Sequence, residues 1–462
     1  MFRAFNVYGL GYLQTLMRTL PMRPFHFISY ALQWLLGNGQ PVGVAAGTSV
    51  LLVTRYFVAR WAVSPLLNGY DRWVVATMAT VLVSWSGVWL GRFGPAQLSA
   101  VLFFAALGFT VRLFQRWSTS HLVGCAVSVV LLLSVYQALA LCLCTIPFAS
   151  LLWRGIGDGE NAKRYQKGIK FARIGFPLVM AFGIYATYWF IISETIGVGG
   201  YEETLLHNSS KLFTSTGLWS HVEAAYVTAF WGDKFLLPFL LLMVFYLSWG
   251  TLDRLATSKS RLCASALMFS LVASLPVLSL IYISDLHIRD TDRVLFPVSV
   301  GFTLVCISLL FHARNRYSAQ LGSLTASVTV TVLILASSLA AVGIRQHGLL
   351  EEIVIDKALA ASKKSNMQSV LIRDTTGVLG DVYTLFGGAT TLTDAMAVHG
   401  SRITAIICTP LSVDRLHPDA RRYPIPSTPR CEELPSEPNT LALTTRWDNG
   451  ILTIEPWTEK QR

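Results

Sequence analysis

The stretch HLVGCAVSVVLLLSVYQALALCLCTIPFASLL, residues 121–152, decides how the whole chain is laid out. It is apolar almost throughout and longer than the roughly 17–25 residues that cross a hydrocarbon core as one helix. It is therefore either one strongly tilted helix or a hairpin of two short ones, with Ser134, Tyr136 and Gln137 at the break. Directly after it, residues 153–173 carry Arg154, Lys163, Arg164, Lys167, Lys170 and Arg173 against Asp158 and Glu160. Short loops rich in Lys and Arg stay on the cytoplasmic side, so this loop is inside. A hairpin then puts Arg112 and Arg116 inside, and Arg60 and Arg72 with them, whereas a single helix puts both pairs outside. The hairpin is the reading adopted.

The rest of the chain has the same character. Of 462 residues, 53% are hydrophobic and only 14% charged, and the mean hydropathy is +0.51. An average soluble domain has roughly 25% charged residues, so a soluble globular enzyme is excluded. With 25 Phe, 16 Tyr and 13 Trp the chain is too aromatic for a disordered protein. Further apolar segments run from Pro41 to Ala59, Trp73 to Leu90, Pro95 to Phe114, Phe171 to Ile192, Lys234 to Trp249, Cys263 to Ser284, Val294 to Phe311 and Ser323 to Gly343. The sequence predicts an all-α polytopic membrane protein of about 9–10 transmembrane helices, with a membrane domain over 1–343 and a C-terminal domain over 344–462.

Charge agrees with that layout. The net charge is +11, yet residues 345–462 hold 13 Lys+Arg and 14 Asp+Glu, so the excess belongs to the membrane half. Cytoplasmic loops and anionic headgroups account for it, and no nucleic-acid partner is expected. Counting from the basic loop, Ser193–Asp233 is outside, the loop with Arg254, Lys259 and Arg261 inside, Asp285–Arg293 outside, the loop with Arg314 and Arg316 inside, and the tail outside. The same count leaves residues 1–40 outside although they carry Arg3, Arg18 and Arg23, no acidic residue and no signal-peptide core. Two readings follow: a first helix precedes this sequence, or these arginines are inside and the hairpin is wrong. Arg55, inside an apolar segment, either snorkels to an interface or meets an anionic headgroup in a protein cavity.

The tail reads as a small extracytoplasmic α/β domain. Leu349–Lys364 is helix-like, and Ser369–Ile372 and Ile403–Cys408 are strand-like. Asp448-Asn449-Gly450 between Leu441–Thr445 and Ile451–Ile454 signals a hairpin. Proline-rich sequence from Pro418 to Pro438 reads as an extended loop. Cys408 and Cys431 are the only cysteines of this domain, on a side where oxidation is allowed, although spacing alone does not fix a bond. Cys125, Cys142, Cys144, Cys263 and Cys306 lie in apolar spans as small core residues.

Chemistry is sparse inside the spans and gathers in the outer loops. Gly155-Ile-Gly157-Asp-Gly159 lacks the strand and the Lys-Ser/Thr ending of a phosphate loop and reads as a turn. Asp285-Leu-His287-Ile-Arg289-Asp290-Thr-Asp292-Arg293 packs six titratable residues into nine positions. Asp290 and Asp292 are suited to act as a general base or to bind a divalent metal, and Arg289 and Arg293 to hold a phosphate. The plainer reading is a solvated turn with Asp292 capping the next helix. Glu202, Glu203, His207, His221 and Glu223 form a weaker group, which an interfacial helix anchored by Trp219 and Trp231 also explains. Asn208-Ser-Ser210 is formally a glycosylation sequon.

Several of these segments together resemble the GT-C membrane glycosyltransferases, in particular the type II glucosyl transferases of O-antigen modification. They are Leu131-Leu-Leu-Ser-Val-Tyr-Gln137, Asp292-Arg-Val-Leu-Phe-Pro297, and Met22-Arg-Pro-Phe25, which is similar to a Gly-Arg-Pro element of that branch. The resemblance spans about residues 20–343. It implies transfer of a sugar from a polyprenyl-phosphate donor to an envelope glycan or lipid acceptor at the outer interface of a bacterial plasma membrane. It also implies a catalytic acid in the first outer loop, whereas the first acidic residue here is Asp71, on the inner side. Tyr136 and Gln137 are expected to line the donor pocket, or else simply to mark an interfacial helix break. A polysaccharide polymerase or ligase, and a non-enzymatic transporter or envelope protein displaying the tail, are the other classes the sequence admits. No cofactor beyond the divalent metal is indicated.

Overall fold

The computed structural model describes residues 2–40, 42–65, 69–81, 94–139, 160–195, 351–363, 369–376, 391–398, 403–410, 430–434, 440–448 and 451–456, with a few isolated positions. Short helices α1 (Phe2–Tyr8) and α2 (Tyr12–Thr19) open the chain, followed by α3 (Ile28–Leu36), α4 (Val42–Val63) and α5 (Gly69–Val81). Then come α6 (Gly94–Gln115), α7 (Thr119–Val135) and α8 (Glu160–Thr195). The chain forms two compact units, one with α2 to α8 and the other with the tail. Among the described residues three helical segments are long and apolar enough to cross a membrane: α4, Gly94–Leu113 of α6 and Ala172–Thr195 of α8. They coincide with three of the expected spans. The segment expected from Trp73 begins earlier, at Gly69 of α5. The four expected from Lys234 onward lie outside the described residues.

The turn from α3 into α4 requires its glycines. Asn38 and Gly39 have φ of 48° and 80°, a left-handed conformation that glycine adopts without penalty. The returning α4 then lies so close to α3 that a Cβ on Gly47 would sit 2.6 Å from Gln33 Cγ, and one on Gly43 would overlap the Gln33 carbonyl oxygen. The buried core of this unit runs through Ala59, Ala100, Phe103, Leu113, Val129, Leu132 and Ala181.

α7 stops where the sequence marks a break. Its last helical residue is Val135, Tyr136 is extended, and Gln137–Leu139 form a single 3-10 turn. A helix end leaves carbonyls without intrahelical partners, and in apolar surroundings these must be satisfied by protein. Here the Ser134 carbonyl accepts the Phe25 amide at 3.1 Å, and the Val135 carbonyl accepts His26 Nδ1–H at 3.0 Å.

The contacts also fix the direction of each helix. Arg112 Nη2 donates to the Trp61 carbonyl at 2.9 Å, and Gln115 Nε2 to the Pro65 carbonyl at 3.1 Å, so α4 and α6 finish at one end, hereafter the arginine end. Residues 116–118 join α6 to α7, which runs back to the break at Tyr136. At the break end Gln137 is bonded to Tyr185 of α8. At 1.5 Å per residue, Glu160 lies about 37 Å from Tyr185 along α8, so α8 starts at the arginine end. The chain therefore leaves Gln137 at one end and re-enters at Glu160 at the other. The end of α7 at Val135 excludes one continuous helix over 121–152, and the second arm of the expected hairpin lies outside the described residues.

The tail unit carries a four-stranded sheet in the order β2-β1-β3-β4, with β1 Ser369–Arg373, β2 Thr404–Cys408, β3 Thr440–Asp448 and β4 Ile451–Pro456. β1 pairs parallel with β2 and β3, and the helix Thr391–Val398 lies between β1 and β2 in the chain. β3 and β4 are antiparallel with Asp448 opposite Ile451, which leaves Asn449-Gly450 as the two-residue connection. Val370 and Ile372 of β1 and Ala405 and Ile407 of β2 are buried with Val354 and Ala358 of a helix over 351–363. Cys408 at the end of β2 forms a disulfide with Cys431, with Cα atoms 4.9 Å apart.

Candidate functional site

One cluster of polar residues in the helical unit lies at the break end. The segment between α2 and α3 folds back on the end of α7, where the two orphan carbonyls hold it. Arg23, only 4% exposed, donates from Nη2 to Gln137 Oε1 at 3.2 Å. Its guanidinium lies 5.7 Å from the centre of the Tyr136 ring, within cation–π range. α8 closes the third side. Gln137 Nε2 donates to Tyr185 OH at 2.5 Å, and Tyr185 OH donates to the Met22 carbonyl at 2.5 Å. Tyr188 OH donates to the Pro21 carbonyl at 2.7 Å. Met22-Arg-Pro-Phe25 and Tyr136-Gln137, more than a hundred residues apart in sequence, thus form one site. Arg23 is its formal charge among the described residues, and Tyr185, Tyr188, Gln137 and His26 supply hydrogen-bonding groups around it. These groups satisfy one another and the Met22, Pro21 and Val135 carbonyls, tying the segment before α3, the end of α7 and α8 together around one guanidinium, the group in the cluster suited to an anion such as a phosphate.

Tyr185 and Tyr188 were missed in the sequence, because on an apolar helix a tyrosine reads as core or interface. The signal available was their spacing of three, which puts both hydroxyls on one face of α8.

Arg55 corrects the sequence reading. It does not snorkel: its side chain is fully buried in α4, with Nη1 donating to Gln97 Oε1 at 2.7 Å and Nη2 to the Thr80 carbonyl at 2.5 Å. It ties α4 to α5 and α6 from inside the bundle.

A second polar concentration lies at the ends of β1 and β2, beside Thr445 of β3. The Asp374 carboxylate is buried and accepts Thr376 N (3.1 Å), Thr376 Oγ1 (2.6 Å), Thr445 Oγ1 (3.0 Å) and Leu379 N (2.8 Å). Its own amide donates to the Cys408 carbonyl at 2.8 Å. With its oxygens so occupied, this carboxylate organises the strand ends.

Asp290, Asp292, Arg289 and Arg293 lie outside the described residues, as do Glu202, Glu203, His207, His221 and Glu223. Among the described residues no three of His, Cys, Asp and Glu come together. Comparisons with protein-family models, curated proteins and solved structures found no match to this chain.

Proposed function

We propose that this chain is a multi-pass membrane glycosyltransferase that moves a sugar from a polyprenyl-phosphate donor to an envelope glycan or lipid acceptor at the outer membrane–water interface. The observation that carries the reading is the meeting of Arg23 with Tyr136 and Gln137, which joins two of the three segments of the family resemblance into one polar site. The site lies at the end of the bundle opposite Arg60, Arg112 and Arg173, which in this reading is the outer end by the positive-inside rule. The Cys408–Cys431 disulfide supports an oxidising, extracytoplasmic side for the tail.

In this reading Tyr136 and Gln137 line the donor pocket. The acceptor hydroxyl attacks the anomeric carbon while the bond from that carbon to the phosphate oxygen breaks. Asp290 or Asp292 takes the hydroxyl proton, and Arg289 and Arg293 neutralise the departing phosphate. A divalent metal bound by the two aspartates would serve the same neutralisation.

The test is sugar transfer by the full chain in vesicles supplied with polyprenyl-phosphate sugars and an envelope glycan or lipid acceptor. Arg293→Ala and Gln137→Ala are each expected to lower turnover roughly 100-fold with normal membrane insertion. Undiminished transfer by both variants overturns the assignment. Loss of cellular function only on deleting residues 345–462, with the outer-loop charges dispensable, favours a non-enzymatic display of the tail.

A further inference from the structure

The three apolar spans are asymmetric. Each has an arginine in the turn at the arginine end: Arg60 in α4, Arg112 in α6 and Arg173 in α8. At the break end the terminal turns of these spans carry no Lys or Arg, and α8 carries Glu194 there. Arg72 near the start of α5 and Arg116 just past α6 join the same rim, with Trp61, Trp73 and Trp117 beside them.

Two of these arginines are committed to the fold. Arg112 lies 3.8 Å over the Trp61 ring and also donates to the Gly108 and Trp61 carbonyls and to Ser64 Oγ. Arg72 Nη2 donates to the Ser64 carbonyl at 3.2 Å. Together they lock the ends of α4, α5 and α6 into a fixed edge. Arg60 and Arg116 are different. Both are exposed, and among the described residues neither guanidinium has a protein partner. They flank the Arg112–Trp61 contact, and exposed Trp73 and Trp117 are suited to the headgroup level of a bilayer.

We infer that this edge is a binding surface for anionic phospholipid headgroups, with Arg60 and Arg116 as the residues that contact the lipid phosphate. The inference rests on the membrane reading and is independent of the transferase activity. A fixed edge matters because the two cations are presented without ordering the backbone on binding, and a juxtamembrane arginine contributes about 1 kcal/mol to attraction for an anionic leaflet, or roughly fivefold in affinity.

The test uses the purified full chain in a neutral detergent, with the midpoint of thermal unfolding followed as short-chain phosphatidylglycerol is titrated in. Phosphatidylglycerol is expected to raise the midpoint, while phosphatidylcholine and inorganic phosphate leave it in place. Arg60→Gln/Arg116→Gln is expected to weaken the apparent affinity roughly 30-fold, about fivefold per arginine. The Arg60→Lys/Arg116→Lys chain, which keeps the charge, stays within about threefold of wild type on the same scale. Arg18→Gln, outside the edge, leaves the titration unchanged. An equal response to phosphatidylcholine or inorganic phosphate, or wild-type affinity in the glutamine double variant, overturns the proposal.

Discussion

Arg55 shows what a buried charge asks of its neighbours. A guanidinium inside an apolar bundle persists where acceptors meet it, and Gln97 and the Thr80 carbonyl do so. Replacing it leaves the Gln97 amide and that carbonyl short of a partner, at about 1–3 kcal/mol for each unsatisfied group. Arg55→Leu is therefore expected to lower the thermal midpoint of the detergent-solubilised protein. Gln97→Leu placed on top of it is expected to recover part of the loss, a coupling of about 1 kcal/mol or more in a double-mutant cycle. Strict additivity of the two substitutions would show that the pair is not energetically joined. None of this was legible in the sequence, where Arg55 is a lone cation and Gln97 an ordinary polar residue at a helix start.

At the scale of elements, close approach of α4 and α6 depends on a missing side chain. A Cβ on Gly108 would overlap the Trp61 ring and lie 2.9 Å from Ala62 Cα. Gly108→Leu is expected to cost about 1–3 kcal/mol through overpacking. It should also displace Trp61 from Arg112, visible as a shift in tryptophan emission, and an unchanged spectrum and midpoint would count against this packing. The helix break belongs to the same scale. Ser134, Tyr136 and Gln137 marked its place because polar residues interrupt an otherwise apolar run. The loop that satisfies the freed carbonyls, Phe25 and His26, was not legible, since nothing local to residues 134–137 points to a segment so far upstream. In the tail the reverse holds: the short apolar, β-branched run Ser369–Ile372 and Asn449-Gly450 between two β-rich runs read directly as strand and hairpin, because both are local signals.

For the whole molecule, the directions of the helices decide the layout. Because α4 and α6 finish at the arginine end and α7 begins there, Gln40, just before α4, and Ser120, at the start of α7, lie at opposite ends of the bundle. In membrane vesicles, single cysteines at these two exposed positions are expected to react with an impermeant maleimide from opposite sides. Labelling of both from one side would refute the span assigned to α4. Composition and the length of the apolar segments were enough to predict a mostly helical chain, with helices long and apolar enough to cross a membrane, and a small mixed tail, since hydropathy and strand propensity are properties of consecutive residues. Tertiary structure alone decided that Arg23, Tyr136, Gln137, Tyr185 and Tyr188 share one site and that Cys408 bonds Cys431. Those contacts join residues distant along the chain, and packing rather than local preference selects which polar groups satisfy one another.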